Sequence, residues 1–243
     1  MADEQPAPDT VEVAPGLALA YTPEPEVEQG RHRRRKGGYD AMANLRSWTP
    51  KTRLGRMVRN GEITTFEQAM DCRLPIREVE IVDALLPGLE DEVINVNMIQ
   101  RMTDSGRRVR FNVMAAVGNN NGYVGLGMVK GKEVAATIRK AIDNAKLNII
   151  PVMRGNGSWE SGGGAGSSVP FKITGRSGST RVTLIPAPAG KGLVIGSKGK
   201  VVLRLSGITD IYSRTHGQTR TTINFARATY NALQNLNKSK VSA

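Results

Sequence analysis

This sequence has few of the residues that build catalytic or metal-binding sites. Its 243 residues include one cysteine, Cys72, and two histidines, His32 and His216. A single cysteine excludes an internal disulfide and a multi-cysteine zinc site, and it indicates a reducing compartment. We expect Cys72 to be a small core residue. No cluster of His, Cys, Asp or Glu has metal-ligand spacing, so we expect neither a metal nor a cofactor.

Long apolar runs are missing as well. No apolar stretch approaches the ~18–20 residues that a membrane helix requires. The first residues, Met-Ala-Asp-Glu-Gln, lack the basic and apolar segments of a secretory signal, so we expect a cytoplasmic protein without a membrane partner. Aromatic residues are scarce, at four Phe, five Tyr and two Trp. Val, Ile, Leu and Ala are nevertheless plentiful enough to build one or two domains with hydrophobic cores.

Positive charge, by contrast, is abundant, and it is unevenly placed. Residues 1–30 contain seven acidic side chains and no Lys or Arg, whereas residues 31–243 contain 34 basic and 15 acidic ones. Residues 31–60 alone hold ten Lys or Arg and one acid. The acidic segment has the composition of a disordered tail. The large positive excess in the rest of the chain indicates a polyanionic partner, and nucleic acid is the first candidate.

The chain begins with a tail and a basic extension. We assign residues 1–38 to a disordered acidic tail with a basic run, and residues 39–90 to a basic N-terminal extension. A helix is predicted to open at Pro75 and to stop at Pro87-Gly88. The spacing of Lys51, Arg53, Arg56 and Arg59 is too close for one helical stripe. We therefore predict a basic patch that suits irregular grooves in RNA and is anchored to the protein body by Trp48.

The hydrophobic periodicity over residues 91–153 predicts a β-β-β-α unit. The expected elements are strands from residue 93, over 109–117 and over 124–128, followed by a helix over 134–149. The second strand has an apolar face, formed by Val109, Phe111, Val113, Ala115 and Val117. Its other face begins with Arg108, Arg110 and Asn112. On the helix, the side opposite the apolar stripe carries Arg139, Lys140, Asp143 and Lys146.

The second half of the chain follows a glycine-rich linker over 154–168, in which Trp159 suggests that part of the loop docks. Residues 169–243 are predicted to form a β-β-α-β-α unit, with a last helix capped by Thr221 or Thr222. Strands are expected over 171–174, 181–185 and 211–212. No internal repeat is apparent. The overall fold class is therefore α+β.

Two glycine-containing motifs suggest phosphate contacts. Gly125 and Gly127 with Lys130 and Lys132 resemble the double-stranded-RNA-binding domain, in which lysines at a helix start face phosphate beside unpaired backbone N–H groups. Alternatively, these glycines only allow close packing of the helix on the strand, and the lysines are solvated.

The second motif, Gly196-Ser197-Lys198-Gly199, matches the G-x-x-G loop by which KH domains clamp nucleotide backbones. The proline-rich segment at 186–190 leaves no room for the helix that precedes such a loop. We interpret the motif as a helix N-terminus at which Lys198 and Lys200 can meet phosphate. No Walker A motif is present, so the sequence gives no support for a nucleotide-binding protein.

Two turns offer further candidate contacts. In the hairpin Thr103–Arg108, Gly106 would let RNA approach the chain closely, and Arg107, Arg108 and Arg110 follow; the alternative is an ordinary tight turn with solvated arginines. Arg220 opens the last helix, whose free N–H groups favour an anion or an acidic side chain. Its alternative is a simple threonine cap beside a solvated arginine.

A catalytic site has little support. His216 lies near Asp210 and Ser213 in sequence, but no nucleophile elbow accompanies them. We expect His216 to form a hydrogen bond or to touch RNA, and we expect no enzyme activity.

Taken in order, these segments resemble the small-subunit ribosomal protein five family, in its archaeal and eukaryotic branch, over about residues 46–236. The family signature is carried by Arg107–Gly118, Gly122–Gly127 and Lys132–Ala141. The branch is indicated by Trp48–Gly55, Gly157–Glu160, Leu184–Leu193 and Gly217–Phe225. Two segments depart from the family: Asn119-Asn120-Asn121 replaces a more usual Asp-containing turn, and Gly196–Gly199 is unusually rich in glycine and lysine.

The resemblance implies a double-stranded-RNA-binding-like N-terminal domain and a C-terminal α/β domain with a β-α-β-α core. It implies a structural constituent of the small ribosomal subunit that binds its rRNA and supports decoding accuracy where mRNA enters. Neighbours would resemble small-subunit proteins four and eight. The turn containing Gly178, with Arg181, would meet the protein-four neighbour. From the residues alone, a free RNA-binding regulator and a hydrolase using His216 remain as alternatives.

Overall fold

The structure is a computed structural model that describes residues 48–156 and 166–237. The predictions for the acidic tail, for the basic run at 31–36 and for Trp159 fall outside these residues. The described chain begins with three short helices and continues as two four-stranded sheets, each packed against helices. The α+β class predicted from the sequence is confirmed.

The basic extension is more helical than the sequence suggested. It forms α1 (Arg53–Arg59), α2 (Phe66–Asp71) and α3 (Val79–Leu85). Threonines cap α1 and α2: the hydroxyl oxygens of Thr52 and Thr65 each accept a hydrogen bond from a backbone N–H three residues further on. The prediction that these cations are too closely spaced for one helical stripe was therefore wrong for Arg53, Arg56 and Arg59, because it overlooked the cap at Thr52.

The predicted start of α3 at Pro75 was also wrong, since the helix begins four residues later. Glu78 is in an extended conformation, and its carboxylate accepts hydrogen bonds from the Trp48 indole and from the backbone N–H groups of Lys51 and Thr52. Glu78 is therefore the N-cap residue that precedes α3 rather than part of the helix. Cys72, expected in the core, is exposed, because it lies at the C-cap of α2 while that helix buries Phe66 and Ala69.

The first sheet is antiparallel and is formed by β1 (Glu90–Thr103), β2 (Gly106–Gly118), β3 (Tyr123–Gly131) and β4 (Ile149–Pro151), in that order. Helix α4 (Val134–Leu147) packs on one face, so the predicted β-β-β-α order is confirmed. Two details were wrong. Ile149 belongs to β4 rather than to the helix. Lys146, expected on the solvated side, is 6% exposed and bonds to Asp83 of α3 at 2.6 Å.

The second half of β2 is buried on both faces. Val113 and Ala115 pack against Ala141 of α4. Met114 and Ala116 point the other way into a larger core, which they share with residues of the second sheet such as Leu184. The run of buried residues along β2 thus links two hydrophobic cores within the described chain.

The second sheet has the order β5-β6-β8-β7 and packs against two helices. Its elements are β5 (Ile173–Ser177), β6 (Thr180–Pro186), β7 (Leu193–Val194), α5 (Ser197–Leu205), β8 (Ile211–His216) and α6 (Thr222–Leu236). Strand β7, which the sequence did not reveal, pairs in parallel with β8. Helix α5 connects the two strands. Elements β6, α5, β8 and α6 follow the β-α-β-α order that the resemblance implied, with β7 as an additional short strand between β6 and α5.

The turn between β2 and β3 connects the two halves. The backbone N–H groups of Asn120 and Gly122 donate to the carbonyls of Leu205 and Ser206, at the C-terminal end of α5, at 3.0 Å each. A Cβ on Gly118 would lie 2.2 Å from the Leu205 carbonyl oxygen, so only glycine allows this approach. The asparagine-rich turn therefore makes an intramolecular contact.

The same eight-residue pattern occurs in the helix that packs on each of the two sheets. At this short scale the expectation of no internal repeat was therefore wrong. The pattern Ala-x-x-Asn-Ala-x-x-Asn occurs at 141–148 in α4 and at 228–235 in α6. In α4, the amides of Asn144 and Asn148 donate to the carbonyls of Met128 and Leu126, at 3.3 and 3.4 Å. In α6, the amides of Asn231 and Asn235 donate to the carbonyls of Arg176 and Thr174, at 2.9 and 3.1 Å.

The spacing of this repeat has a geometric cause. Four residues of a helix rise about 6 Å, which is close to the rise of about 6.6 Å over two strand residues. Each asparagine pair can therefore reach two successive outward carbonyls of a strand edge. Each helix also lies on a glycine of that strand, Gly127 below α4 and Gly175 below α6. The asparagines satisfy carbonyls that an open sheet edge would otherwise present to another strand.

Candidate RNA-binding surface

The β1–β2 hairpin carries the first group of predicted RNA-binding residues. A two-residue turn joins Thr103 to Gly106, whose φ of +125° suits only glycine. No atom lies within 4 Å of a Cβ built on Gly106, so the space beside the turn is open. Arg107, Arg108 and Arg110 are exposed. The tight turn is confirmed, and its side chains are free to meet a partner.

The hairpin also brings Arg101 beside these residues, which the sequence reasoning missed. Arg101 is exposed and lies directly opposite Arg108 in the register of β1 and β2. The available signal was the two-residue turn, because its length fixes which residues pair across a hairpin. One face of the hairpin therefore presents Arg101, Arg108 and Arg110 together.

Helix α1 presents the second group. Arg53, Arg56 and Arg59 are exposed, while Leu54 and Gly55 are buried. Residues three apart in a helix lie on neighbouring parts of its surface, so the three guanidinium groups share one side of α1. Lys51 precedes the helix and is also exposed. The four predicted cations thus form one ridge.

Trp48 and Glu78 hold this ridge on the protein, as predicted for Trp48. The Trp48 indole donates to the Glu78 carboxylate at 2.8 Å, and Trp48 packs against a core containing Leu54 and Ile81. Partial burial of the Glu78 carboxyl opposes ionisation, but the hydrogen bonds from Thr52, Trp48 and Lys51 outweigh it and lower its pKa. The ionised carboxylate is therefore the form that accepts these hydrogen bonds and holds the start of α1 in place.

We expect acid to release this anchor. Because the folded pKa of Glu78 lies below the ordinary value of 4.5, the carboxylate supports the anchor above that value and loses this role as the pH falls through the folded pKa. In an NMR titration from about pH 6 to 3, the Trp48 indole N–H signal should shift. The Glu78→Gln variant, which cannot titrate, should show no such shift; equal shifts in both proteins would contradict the assignment.

Two glycines of β3 lie directly beneath helix α4. A Cβ on Gly125 would lie 2.1 Å from the Ala145 carbonyl oxygen, and one on Gly127 would lie 2.3 Å from that of Ala141. These glycines therefore allow α4 to pack closely on β3, which was the structural alternative considered for them. Lys130, Lys132 and Lys140 are exposed beside this contact, where they remain candidates for phosphate.

Lys198 and Arg220 meet at one cleft. It has a volume of about 320 Å³ and is lined by Gly196, Ser197, Lys198, Ser213, Thr215, Thr219, Arg220, Thr222 and Phe225. The first turns of α5 and α6 both open onto it, and neither helix has a side-chain cap. The interpretation of Gly196–Gly199 as a helix N-terminus is confirmed. Lys200 is exposed but does not line the cleft.

The β5–β6 hairpin places Gly178 and Arg181 at the surface. Gly178 has a φ of +60° in the two-residue turn. Exposed Arg181 lies between Arg176 on β5 and His216 on β8 in the strand register. The sequence reasoning missed Arg176, although the same register argument would have identified it. Arg176, Arg181 and His216 form a row across three strands.

His216, Asp210 and Ser213 do not form a catalytic triad. Asp210 precedes β8 and His216 ends it, and a strand that rises about 3.3 Å per residue separates them by roughly 20 Å. The Gly192 amide holds the pKa of the Asp210 carboxyl below its ordinary value, with a further hydrogen bond from Thr209. The Ser213 hydroxyl donates to the Val194 carbonyl. Asp210 and Ser213 are thus engaged in local structural hydrogen bonds.

The candidate cations have no acidic partners within the described residues. The two ion pairs there join Lys146 to Asp83 and Arg204 to Glu92, and neither includes a predicted RNA-binding residue. Over the same residues, no group of three or more His, Cys, Asp or Glu could hold a metal. Nor is any described helix both long and apolar enough to cross a membrane. Within the described residues, these exposed arginines and lysines are therefore not paired with a carboxylate.

Comparisons with known proteins identify the fold. The chain matches the family models described as Ribosomal protein S5, N-terminal domain, over residues 89–153, and Ribosomal protein S5, C-terminal domain, over residues 175–243. It is 57% identical over 199 residues to the small ribosomal subunit protein uS5 of Methanothermobacter thermautotrophicus, covering 82% of this chain and 92% of that relative. The uS5 proteins of Aeropyrum pernix and Methanocaldococcus jannaschii are 56% and 55% identical, each covering 80% of this chain and 89% of the relative.

These matches confirm the resemblance seen in the sequence. The two family models fall on the two sheets and their helices, and the relatives align with about four fifths of the chain. The chain therefore belongs to the ribosomal protein S5 family, a family of structural ribosomal proteins and not of enzymes.

Proposed function

We propose that this protein is a structural constituent of the small ribosomal subunit in the cytoplasm, where it binds rRNA through the β1–β2 hairpin, the α1 ridge and the α4 start. The observation that carries the proposal is that these three surfaces present exposed cations without acidic partners in the described chain. Phosphate groups would supply the missing negative charge, and each contact would release counterions from the RNA.

The cleft between α5 and α6 contributes a further phosphate contact in this proposal. Lys198 and Arg220 supply positive charge from two sides, and the hydroxyl of Thr215 adds a hydrogen-bonding group. The first turns of two helices add unpaired backbone N–H donors. Lys200 would contact RNA outside the cleft.

Sedimentation tests the proposal as a whole. Cell extract is separated on a sucrose gradient at moderate salt, and the protein is followed with an antibody. We expect nearly all of it to sediment with small subunits. If most of the protein remains in the light fractions while the subunits are intact, the chain acts as a free RNA-binding regulator and the proposal fails.

We further propose that Gly178 and Arg181 lie at a contact with a neighbour resembling small-subunit protein four, and that a protein resembling number eight is a second neighbour. Arg181 suits a protein contact because it is exposed at the start of a strand whose backbone is fixed by pairing on both sides. This interface would influence how the subunit closes on a codon near the place where mRNA enters.

We expect Arg181→Ala to alter misreading at near-normal subunit yield. An exposed side chain adds little to folding, whereas its loss would loosen the contact during decoding. Reconstituted translation with near-cognate codons measures the change, and Lys172→Ala, which removes an exposed cation from the same half, is the matched control. Unchanged misreading with collapsed assembly would make Arg181 a structural residue.

A further inference from the structure

The outer part of the β1–β2 hairpin projects beyond the rest of its sheet. Strand β3 ends at Gly131, which pairs with Phe111. Residues 99–110 therefore form a ribbon of two strands, and every one of them is exposed. Two-stranded ribbons are marginally stable alone in water, so a ribbon of this kind gains order when its faces are covered.

The two faces of this ribbon differ in chemistry. Residues paired across antiparallel strands point to the same side, and successive residues alternate. The register gives a basic face consisting of Asn97, Ile99, Arg101, Thr103, Arg108, Arg110 and Asn112. It gives an apolar face consisting of Val96, Met98, Gln100, Met102, Arg107, Val109, Phe111 and Val113. Three arginines therefore lie on one face and a single arginine on the other.

The apolar face is uncovered over much of its length. Helix α4 covers Val113 at its inner end. Further out, Met98 is 59% exposed and Met102 is 73% exposed, with Val96 and Val109 also exposed. A contiguous apolar patch of this kind on a soluble fold marks an interaction site. Flexible, polarisable methionines are common where one protein surface adapts to another.

We infer that the apolar face of this hairpin docks, through its exposed valines and methionines, against apolar side chains on the surface of a neighbouring protein in the small subunit. This inference rests on the proposed function. The charges of the two faces favour protein over RNA as the partner of the apolar face. A phosphate backbone on the apolar face would lose water and meet one arginine, whereas the basic face offers three. The exposed apolar residues of this face, Val96, Met98, Met102 and Val109, are also aliphatic or methionine, not the aromatic residues on which bases stack.

Adjacent positions allow a matched test, because Met98 and Ile99 lie on opposite faces and are 59% and 41% exposed. A diazirine-bearing amino acid is placed at one position or the other in the full chain. Small subunits containing the variant are purified and irradiated, and the cross-linked product is digested with protease or with ribonuclease. We expect the probe at 98 to capture a second protein and the probe at 99 to capture rRNA.

The other outcomes overturn the inference. These are cross-linking of position 98 to rRNA, to another part of the same chain or to a second copy, and the lack of any product at 98 when 99 gives one. Failure of the proposed function looks different, because then neither variant would be found in purified small subunits. The amount of each variant in the subunits, measured before irradiation, separates the two failures.

Discussion

Replacing Gly127 or Gly175 by alanine should strongly destabilise the protein. The added Cβ would lie 2.3 Å from the Ala141 carbonyl oxygen in the first case and 2.1 Å from that of Ala228 in the second. Both neighbours are helix backbone and cannot rotate away, so α4 or α6 must move off its strand and weaken the asparagine bonds to the strand edge. We expect the free energy of unfolding to fall by about 3 kcal/mol in each variant.

Urea unfolding of the isolated protein measures this loss, with Gly61→Ala as the control. Gly61 has a φ of +79° and nothing within 4 Å of its Cβ, so alanine there should cost only about 1 kcal/mol of backbone strain. Similar losses in all three variants would show that close helix–strand packing at Gly127 and Gly175 is not what stabilises the two halves.

The second large effect concerns the α1 ridge and its four cations, Lys51, Arg53, Arg56 and Arg59. The slope of log K for rRNA binding against log salt concentration reports the number of phosphate contacts. If each cation contacts one phosphate, replacing all four by alanine should make this slope less steep by about 3. Binding of the isolated protein to small-subunit rRNA, measured over a salt series, gives this slope.

The control removes the same charge elsewhere. Arg73, Arg77, Lys172 and Lys191 are also exposed, but the proposed RNA surface does not include them. Replacing these four by alanine should leave the slope nearly unchanged. Equal changes in both quadruple variants would mean that RNA senses only the net charge, and an unchanged slope for the α1 variant would mean that its cations face solvent.

The sequence predicted those elements whose periodicity is strong. Alternating residues in β2 and the apolar stripe of α4 indicated the first unit, and a two-residue turn rich in small residues indicated the β1–β2 hairpin. The short helices α1 and α2 were not predicted, because each has only about two turns and too few apolar residues to form an apolar stripe. Their signals were the capping threonines Thr52 and Thr65.

Long-range contacts explain most of what the sequence could not reveal. Strand β4 and the burial of Lys146 depend on partners far along the chain, Tyr123–Gly125 and Asp83 respectively. The same holds for the contact of the Asn119–Gly122 turn with α5, since nothing local marks Leu205 as its partner. Residue types identified the exposed cations correctly, whereas the register of the sheets was needed to group them into faces.

The most direct test of the account is a cryo-electron microscopy structure of the intact small subunit that contains this protein. We expect the hairpin Thr103–Arg108 to lie against rRNA, with Arg107 or Arg108 within hydrogen-bond reach of a phosphate oxygen and with the α1 ridge facing the RNA backbone. A structure in which both arginines lie beyond reach of any phosphate and α1 faces solvent would contradict the account.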